Sequence, residues 1–272
     1  MSIEYSIIGQ AGNQLYTQIL ASLCAKAYNL KIANVPTNIL ATFKPIETPE
    51  SSNKNLVASE VSTTSKLDAL KGRCFKDIET KMKLKRGFYQ DEGLFNPYRD
   101  IIKNEILELP SFEKNTKDII LHLRLDGFNH NGYDSHIIHP EWYINILKNE
   151  TFDKVYIVMA TKGKSKIRKP TKTDKRDEYL SYFNEFDPIY VSEDERHDFN
   201  FIRSFDKIIS SNSTFSWWAA FCSDASVIYL PNVWESRRAK LNKIGNVSKI
   251  VQDGYIYVNI DTMEKVKITT FH

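Results

Sequence analysis

Ile208-Ile-Ser-Ser-Asn-Ser-Thr-Phe-Ser-Trp-Trp-Ala-Ala220 decides how this 272-residue chain reads. An apolar run, Ile202, Phe205, Ile208 and Ile209, stops at four small polar residues, Ser210, Ser211, Asn212 and Ser213. A compact helix of aromatics and alanine is expected from Thr214 onward. Ser and Thr at a helix start offer oxygens to backbone N–H groups that have no acceptor within the helix. The same N–H groups, with the helix dipole behind them, form a seat for phosphate. By itself the stretch fits either a capped helix packed on a sheet or a strand–turn–helix that holds an anion.

Two distant segments bear on that choice. At the start, Tyr5-Ser-Ile-Ile-Gly-Gln-Ala-Gly-Asn-Gln-Leu-Tyr16 runs a short apolar strand into Gly9 and Gly12. Leu15, Ile19, Leu20, Leu23, Ala27 and Leu30 then repeat at helical spacing. Glycines between strand and helix let backbone approach a ligand, and Asn13 and Gln14 carry amides at that point. The spacing is not that of the dinucleotide fingerprint. In Asp118-Ile-Ile-Leu-His-Leu-Arg-Leu-Asp-Gly-Phe128, a buried strand over Ile119–Leu121 continues through His122 and Arg124 until Gly127 breaks it. The carboxyl end of a strand in an open parallel sheet is where ligands bind. An Arg placed there offers a permanently charged fork for a diphosphate, or a salt bridge to Asp118 or Asp126.

Strands alternate with helices through the second half. Strands are expected at Ile119–Arg124, Val155–Met159, Pro188–Val191, Lys207–Ser210 and Val227–Leu230, with helices at Trp142–Lys148, Asp198–Phe205 and Phe215–Ser223. That order predicts an α/β fold with mainly parallel, doubly wound sheets. Gly254–Val258 and Val266–Thr270 look like a C-terminal β-hairpin. Tyr98, Ile101, Ile102 and Ile106 suggest a helix within Phe88–Leu109. Pro45–Lys66 reads as an exposed loop, and Pro110–Lys117 as the domain boundary. The pattern implies two facing α/β domains, residues 1–113 and 114–272.

Composition sets bounds. The chain is 42% apolar, enough for a sizeable core, and its net charge of +3 makes no general case for nucleic acid. Cys24, Cys74 and Cys222 have no metal-ligand spacing, and Cys24 and Cys222 read as reduced core residues. No run of eighteen apolar residues and no leader pattern is present, which predicts no membrane-spanning segment and a cytoplasmic setting.

Gly12-Asn13-Gln14 with its helix, Gly87-Phe-Tyr-Gln-Asp-Glu-Gly-Leu-Phe95, His122-x-Arg124 and Ser211-Asn-Ser-Thr-Phe-Ser-Trp-Trp218 resemble, in this order, the α-1,2-fucosyltransferase family of glycosyltransferases. The α-1,6- and protein O-fucosyltransferases are similar more distantly. The last string is the most specific, and together the segments span most of the chain. The resemblance implies a GT-B-like fold of two Rossmann-like domains, with residues 1–113 on the acceptor side and 114–272 binding the sugar nucleotide. It implies an inverting transfer from a donor, GDP-fucose in that family, to a glycan hydroxyl, with no other cofactor. A bacterial-like or viral setting fits better than that of the membrane-anchored animal members.

Roles follow from that resemblance. Charge on the departing diphosphate is stabilised either by a metal or by fixed donors and cations. The sequence contains no Asp-x-Asp pair, which predicts a metal-independent reaction. Arg124 is the expected phosphate cation, and Ser211, Asn212, Ser213 and Thr214 the neutral donors at the helix start. Gly12, Asn13 and Gln14 are donor-side candidates, as is His122 beside base or ribose. Asp198 stands where the related enzymes keep an acidic reader of guanine, or it is the N-cap of its helix.

The family pattern His-x-Arg-Arg-x-Asp is broken here, because Leu125 replaces the second Arg and Asp126 comes one residue early. Asp126 remains the expected base, with Gln90, Asp91 and Glu92 as acceptor-side candidates. Leu125 leaves open another donor, xylosyl or rhamnosyl, on the same architecture. A non-catalytic glycan- or nucleotide-binding protein is the alternative of a different class.

Other features carry less. His122, His130, His136 and His139 match no common zinc spacing. The Lys- and Arg-rich segment 162–176 reads as a solvated loop. Trp217 and Trp218, like Phe88, Tyr89 and Phe95, are open between core packing and stacking on a sugar.

Overall fold

The computed structural model describes residues 2–7, 9–28, 30–33, 36–46, 75–78, 81–84, 92–125, 137–159, 176–232 and 254–266. They fall into two units, Met1–Pro110 and Ser111–His272.

In the first unit, β1 (Ser2–Glu4) leads through Gly9 into α1 (Ala11–Tyr28). Gly9 has φ 78°, a left-handed turn that glycine enters without cost and other residues avoid. Leu15, Ile19, Leu20 and Leu23 are buried, as their spacing predicts. Helix α1 also buries Gln18 and Ser22. Their polar groups are met: Ser22 Oγ donates to the Gln18 carbonyl, and Gln18 Nε2 donates to the Thr37 carbonyl at 2.7 Å. Asn38 Nδ2 in turn donates to Gln18 Oε1 and to the Ala11 carbonyl, fastening the segment after β2 (Lys31–Ile32) onto the helix.

Strands β3 (Thr42–Phe43), β4 (Phe75–Ile78) and β5 (Lys81–Leu84) follow. The sheet has the order β2-β1-β5-β4, with β1 parallel to both neighbours and β4 antiparallel to β5. The helix expected within Phe88–Leu109 is interrupted. Helix α2 (Glu92–Phe95) passes through a 3-10 turn at Asn96–Tyr98, into which Pro97 fits because it needs no donor, to α3 (Arg99–Ile101). A π-type turn over Ile102–Ile106 then delivers β6 (Leu107–Glu108), which pairs with β3.

The second unit is built on one seven-stranded sheet. Strand β7 (Asn115–Leu123) begins inside the segment expected to be a boundary, because Asn115 already pairs with Phe205. After it come α4 (Pro140–Lys148), β8 (Val155–Met159), α5 (Arg176–Ser181), β9 (Ile189–Val191), α6 (Glu195–Arg203), β10 (Phe205–Ile209), α7 (Thr214–Phe221), β11 (Val227–Pro231), β12 (Tyr255–Val258) and β13 (Lys265–Val266).

The strand order is β13-β12-β11-β10-β7-β8-β9, parallel throughout except for β13. The expected terminal hairpin is present as β12 and β13, and residues 267–272 of its second arm lie outside the described ones. Alternation splits β7 between the two faces: Ile119, Leu121 and Leu123 join the core under α4, while Ile120 and His122 fall on the other face. No helix among the described residues is long and apolar enough to cross a membrane.

Two predictions come from this packing. Gly254, at φ 90°, enters β12 so close to β11 that a Cβ would lie 2.4 Å from the Ser226 carbonyl oxygen. Gly254→Ala should therefore cost about 1–3 kcal/mol in urea unfolding, through a strained φ and a backbone clash. A stability equal to wild type would mean the β11–β12 connection yields freely.

The second concerns phenols. Burial pushes Tyr5 up to about 12, against a bond from Gln18 that lowers it. Burial alone raises Tyr143. Burial raises Tyr229 first, and the hydrogen-bonded Glu150 carboxylate adds to it. A group whose folded pKa is raised contributes stability that is full below its unfolded value, about 10, and lost as pH climbs through the folded value. Stability should thus fall from about pH 10 upward, and less steeply in Tyr229→Phe. Parallel decline of both proteins in alkaline urea titrations would remove Tyr229 from the cause.

Candidate functional site

Strand β7 is the first of its sheet in sequence, yet it lies in the interior. The chain adds β8 and β9 on one side, then crosses back and adds β10, β11 and β12 on the other. Connections leaving the carboxyl ends of β7 and β10 therefore diverge, and such a reversal is where open α/β sheets place their ligand crevice. The residues at those two ends are His122 in the last residues of β7 and Arg124 just beyond it, and Ser210 to Ser213 after β10.

The two ends are joined by direct bonds. His122, 8% exposed, lies with Nδ1 2.8 Å from Ser211 Oγ. Arg124, half-buried, donates from Nη1 to the Asn212 carbonyl at 3.1 Å. The His122 ring packs against Phe215, with centroids 5.4 Å apart, and Phe215 meets Phe199 edge-on at 6.0 Å. Among the described residues, no three His, Cys, Asp or Glu side chains gather as a metal site.

Helix α7 starts where expected, with Ser213 in extended backbone at φ −124° and ψ 129°. Its hydroxyl makes no capping bond, contrary to the reading of Ser and Thr as cap oxygens. The Ser213 carbonyl instead accepts from Trp217 N at 2.9 Å. Ser213 and Thr214 are half-buried, whereas Ser211 and Asn212 are almost fully buried. The outward polar surface of this turn thus belongs to Ser213, Thr214 and the first N–H groups of α7, which no helical carbonyl can reach. Trp217 and Trp218 are 1% and 0% exposed, packed on each other and on Phe221, which makes both core residues. Phe95 is buried against Tyr16 in the first unit and is core as well.

Asp198 does not open its helix. Helix α6 begins at Glu195, and Asp194 is its N-cap, accepting from His197 N at 2.8 Å. A carboxylate in the first turn suits the helix dipole, and Asp198 Oδ1 accepts the Glu193 N–H at 3.0 Å. Asp198 is 7% exposed and adjoins Phe199, whose ring meets Phe215 and through it His122.

In the first unit, Gly12, Asn13 and Gln14 lie within the opening of α1 rather than in a loop ahead of it. Gly12 is buried, and Gln14 Nε2 folds back onto the Gly9 carbonyl at 2.9 Å. Glu92 is the first residue of α2, while Gln90, Asp91 and Asp126 lie outside the described residues. Leu125, in place of the second arginine, is 5% exposed and belongs to the core under α4.

Two contributors escaped the sequence reading. Phe215 looks like one more aromatic of an apolar helix, but it is the ring that flanks His122. Ser216 is a fully buried hydroxyl within that helix, and its place among aromatic and alanine residues was the available signal.

Asp198→Ala should cost about 1–3 kcal/mol in urea unfolding, because the Glu193 N–H loses its acceptor. Asp198→Asn, which keeps an oxygen in place, should lose clearly less. Full stability of the alanine protein would relieve the carboxylate of its structural part and return it to the candidates for contact with a base. The chain matches no known protein family, no curated protein and no solved structure.

Proposed function

We propose that the protein is an inverting, metal-independent glycosyltransferase that moves a sugar from a nucleoside diphosphate to a glycan hydroxyl, with GDP-fucose as the leading donor. The observation that carries this is the Arg124–Asn212 bond. It ties a permanent cation on β7 to the turn that opens α7, at the reversal of strand order. A diphosphate at that turn meets two complementary features, a guanidinium fork and a helix N-terminus. The α-1,2-fucosyltransferase resemblance adds the reaction class. The GT-B-like pairing of a donor-side unit with an acceptor-side unit, and a cytoplasmic setting, belong to the same proposal.

In the proposed step the acceptor oxygen forms a bond to the anomeric carbon while the bond from that carbon to the diphosphate breaks. The acceptor proton passes to a carboxylate, Asp126 first and Asp91 or Glu92 as alternatives. The electron pair leaves with the diphosphate, whose growing negative charge Arg124 and the Ser213–Thr214 helix end offset.

One observation favours a second reading within the same class. Leu125 is packed in the core, so the position where the family keeps its second arginine does not serve the donor in this chain. A transferase with a different sugar nucleotide, such as a xylosyl or rhamnosyl donor, accommodates that difference.

Thermal stabilisation by GDP, UDP, dTDP and CDP, each with and without EDTA, tests both readings. A ligand at about 100 times its Kd adds roughly 2.7 kcal/mol to stability. GDP alone should stabilise, with or without EDTA, and Arg124→Ala should weaken GDP by about 10- to 100-fold, as expected for a lost charged hydrogen bond. Preference for UDP or dTDP would move the assignment to the second reading. Stabilisation by none of the four would overturn the nucleotide site itself.

A further inference from the structure

The turn after β10 holds more hydroxyls than a helix start requires, and they face inward. Ser210 and Ser216 are fully buried, and Ser211 is 1% exposed. Ser210 Oγ donates to Ser216 Oγ at 2.9 Å, with the Ser211 carbonyl as its other acceptor at 3.0 Å. Ser216 Oγ has the Ser213 carbonyl for its own proton at 3.2 Å. Among the described residues Ser211 Oγ meets His122 Nδ1 at 2.8 Å and Ser216 Oγ at 3.4 Å.

A serine hydroxyl has one proton to give and two lone pairs. Were Nδ1 of His122 protonated, it would donate to Ser211, and the Ser211 proton would be left with the long 3.4 Å contact to Ser216 Oγ. A buried hydroxyl so poorly matched is costly. The reverse arrangement gives every hydroxyl an acceptor: Ser211 donates at 2.8 Å to a bare Nδ1, and the imidazole is neutral with its proton on Nε2.

From this geometry we propose that Ser211 is a positioning residue that acts through His122. Its hydroxyl holds the imidazole as the neutral Nε2–H tautomer, in one orientation at the end of β7. Phe215 supports the ring from a second side. Ser210 and Ser216 hold the turn that carries Ser211. This gives Ser211 a different part from the phosphate donor its motif suggests, since its proton is directed at His122 and its side chain is buried. The consequence for ligand binding rests on the proposed function: at the end of β7, Arg124 supplies the charge and His122 supplies none.

The tautomer is measured without any ligand. Two-bond 15N–1H spectra of the 15N-histidine-labelled protein at about pH 7.5, with His122→Gln identifying the signals, should give a protonated Nε2 and a bare Nδ1. In Ser211→Ala the same ring should become a mixture of tautomers. A protonated Nδ1 in the wild type, or an unchanged ring in Ser211→Ala, overturns the proposal. If Ser211→Ala does not fold, the wild-type spectrum alone decides.

The second readout is a double-mutant cycle on GDP affinity. Ser211→Ala should weaken GDP by about tenfold when His122 is present and cause no further loss in a His122→Gln background. Additive losses would mean that Ser211 touches the nucleotide itself, and would overturn the proposal. Failure of the wild type to bind GDP removes the GDP reading, while the spectra still decide the role of Ser211.

Discussion

The reversal of strand order beside β7 is the constraint on which the second unit depends. Parallel strands need crossover connections, and those connections are right-handed almost without exception. A chain that adds strands on both sides of β7 must therefore put α4 and α7 on opposite faces. The alternation of β7 agrees, with Leu121 and Leu123 under α4 and His122 facing Phe215 of α7. Where the two series part, the connections from neighbouring strands run to opposite faces of the sheet. His122, Arg124 and the Ser210–Ser213 turn lie at that parting.

Burying polar groups there has a physical cost that the local sequence answers. Ser210, Ser211 and Ser216 are removed from water, and each hydroxyl finds an acceptor within the same turn or on His122. A satisfied network in a low-dielectric surrounding is stiff, because a rotation that leaves a buried proton without a partner is costly. That stiffness extends to Arg124 through its bond to the Asn212 carbonyl. In this bond the partner is a backbone carbonyl, which leaves the guanidinium charge uncancelled by that contact. In the first unit the same logic appears around Gln18, where amides rather than hydroxyls bridge α1 to the segment carrying Thr37 and Asn38.

Much of this was legible in the residues because it depends on local period and chain order. The alternation of strands and helices, the start of α7 at Thr214 and the terminal hairpin follow from apolar spacing and small polar breaks. Where the reading failed, a competing local preference had won. Asp198 looked like a helix start, but Asp194 four residues earlier takes the cap, and a carboxylate is equally at home in the first turn. The helix before β6 breaks because Pro97 favours a tighter turn at that point. Gly12, Asn13 and Gln14 seemed to precede a helix and are instead its opening residues, so Gln14 spends its amide on Gly9.

By itself the sequence determined most elements of the second unit, that they build an α/β fold, and which residue types end the strands, since period and capping act over a few positions. It also carries the resemblance from which the transferase proposal starts. Only the tertiary structure decided that His122 meets Ser211 across 89 positions of chain, that Arg124 reaches Asn212, and that Leu125 packs inward. Those outcomes depend on which strands lie side by side and on which face each residue falls, and no local pattern specifies strand order. The direction of a single hydroxyl proton, from Ser211 toward His122, follows only once every neighbouring acceptor has a position.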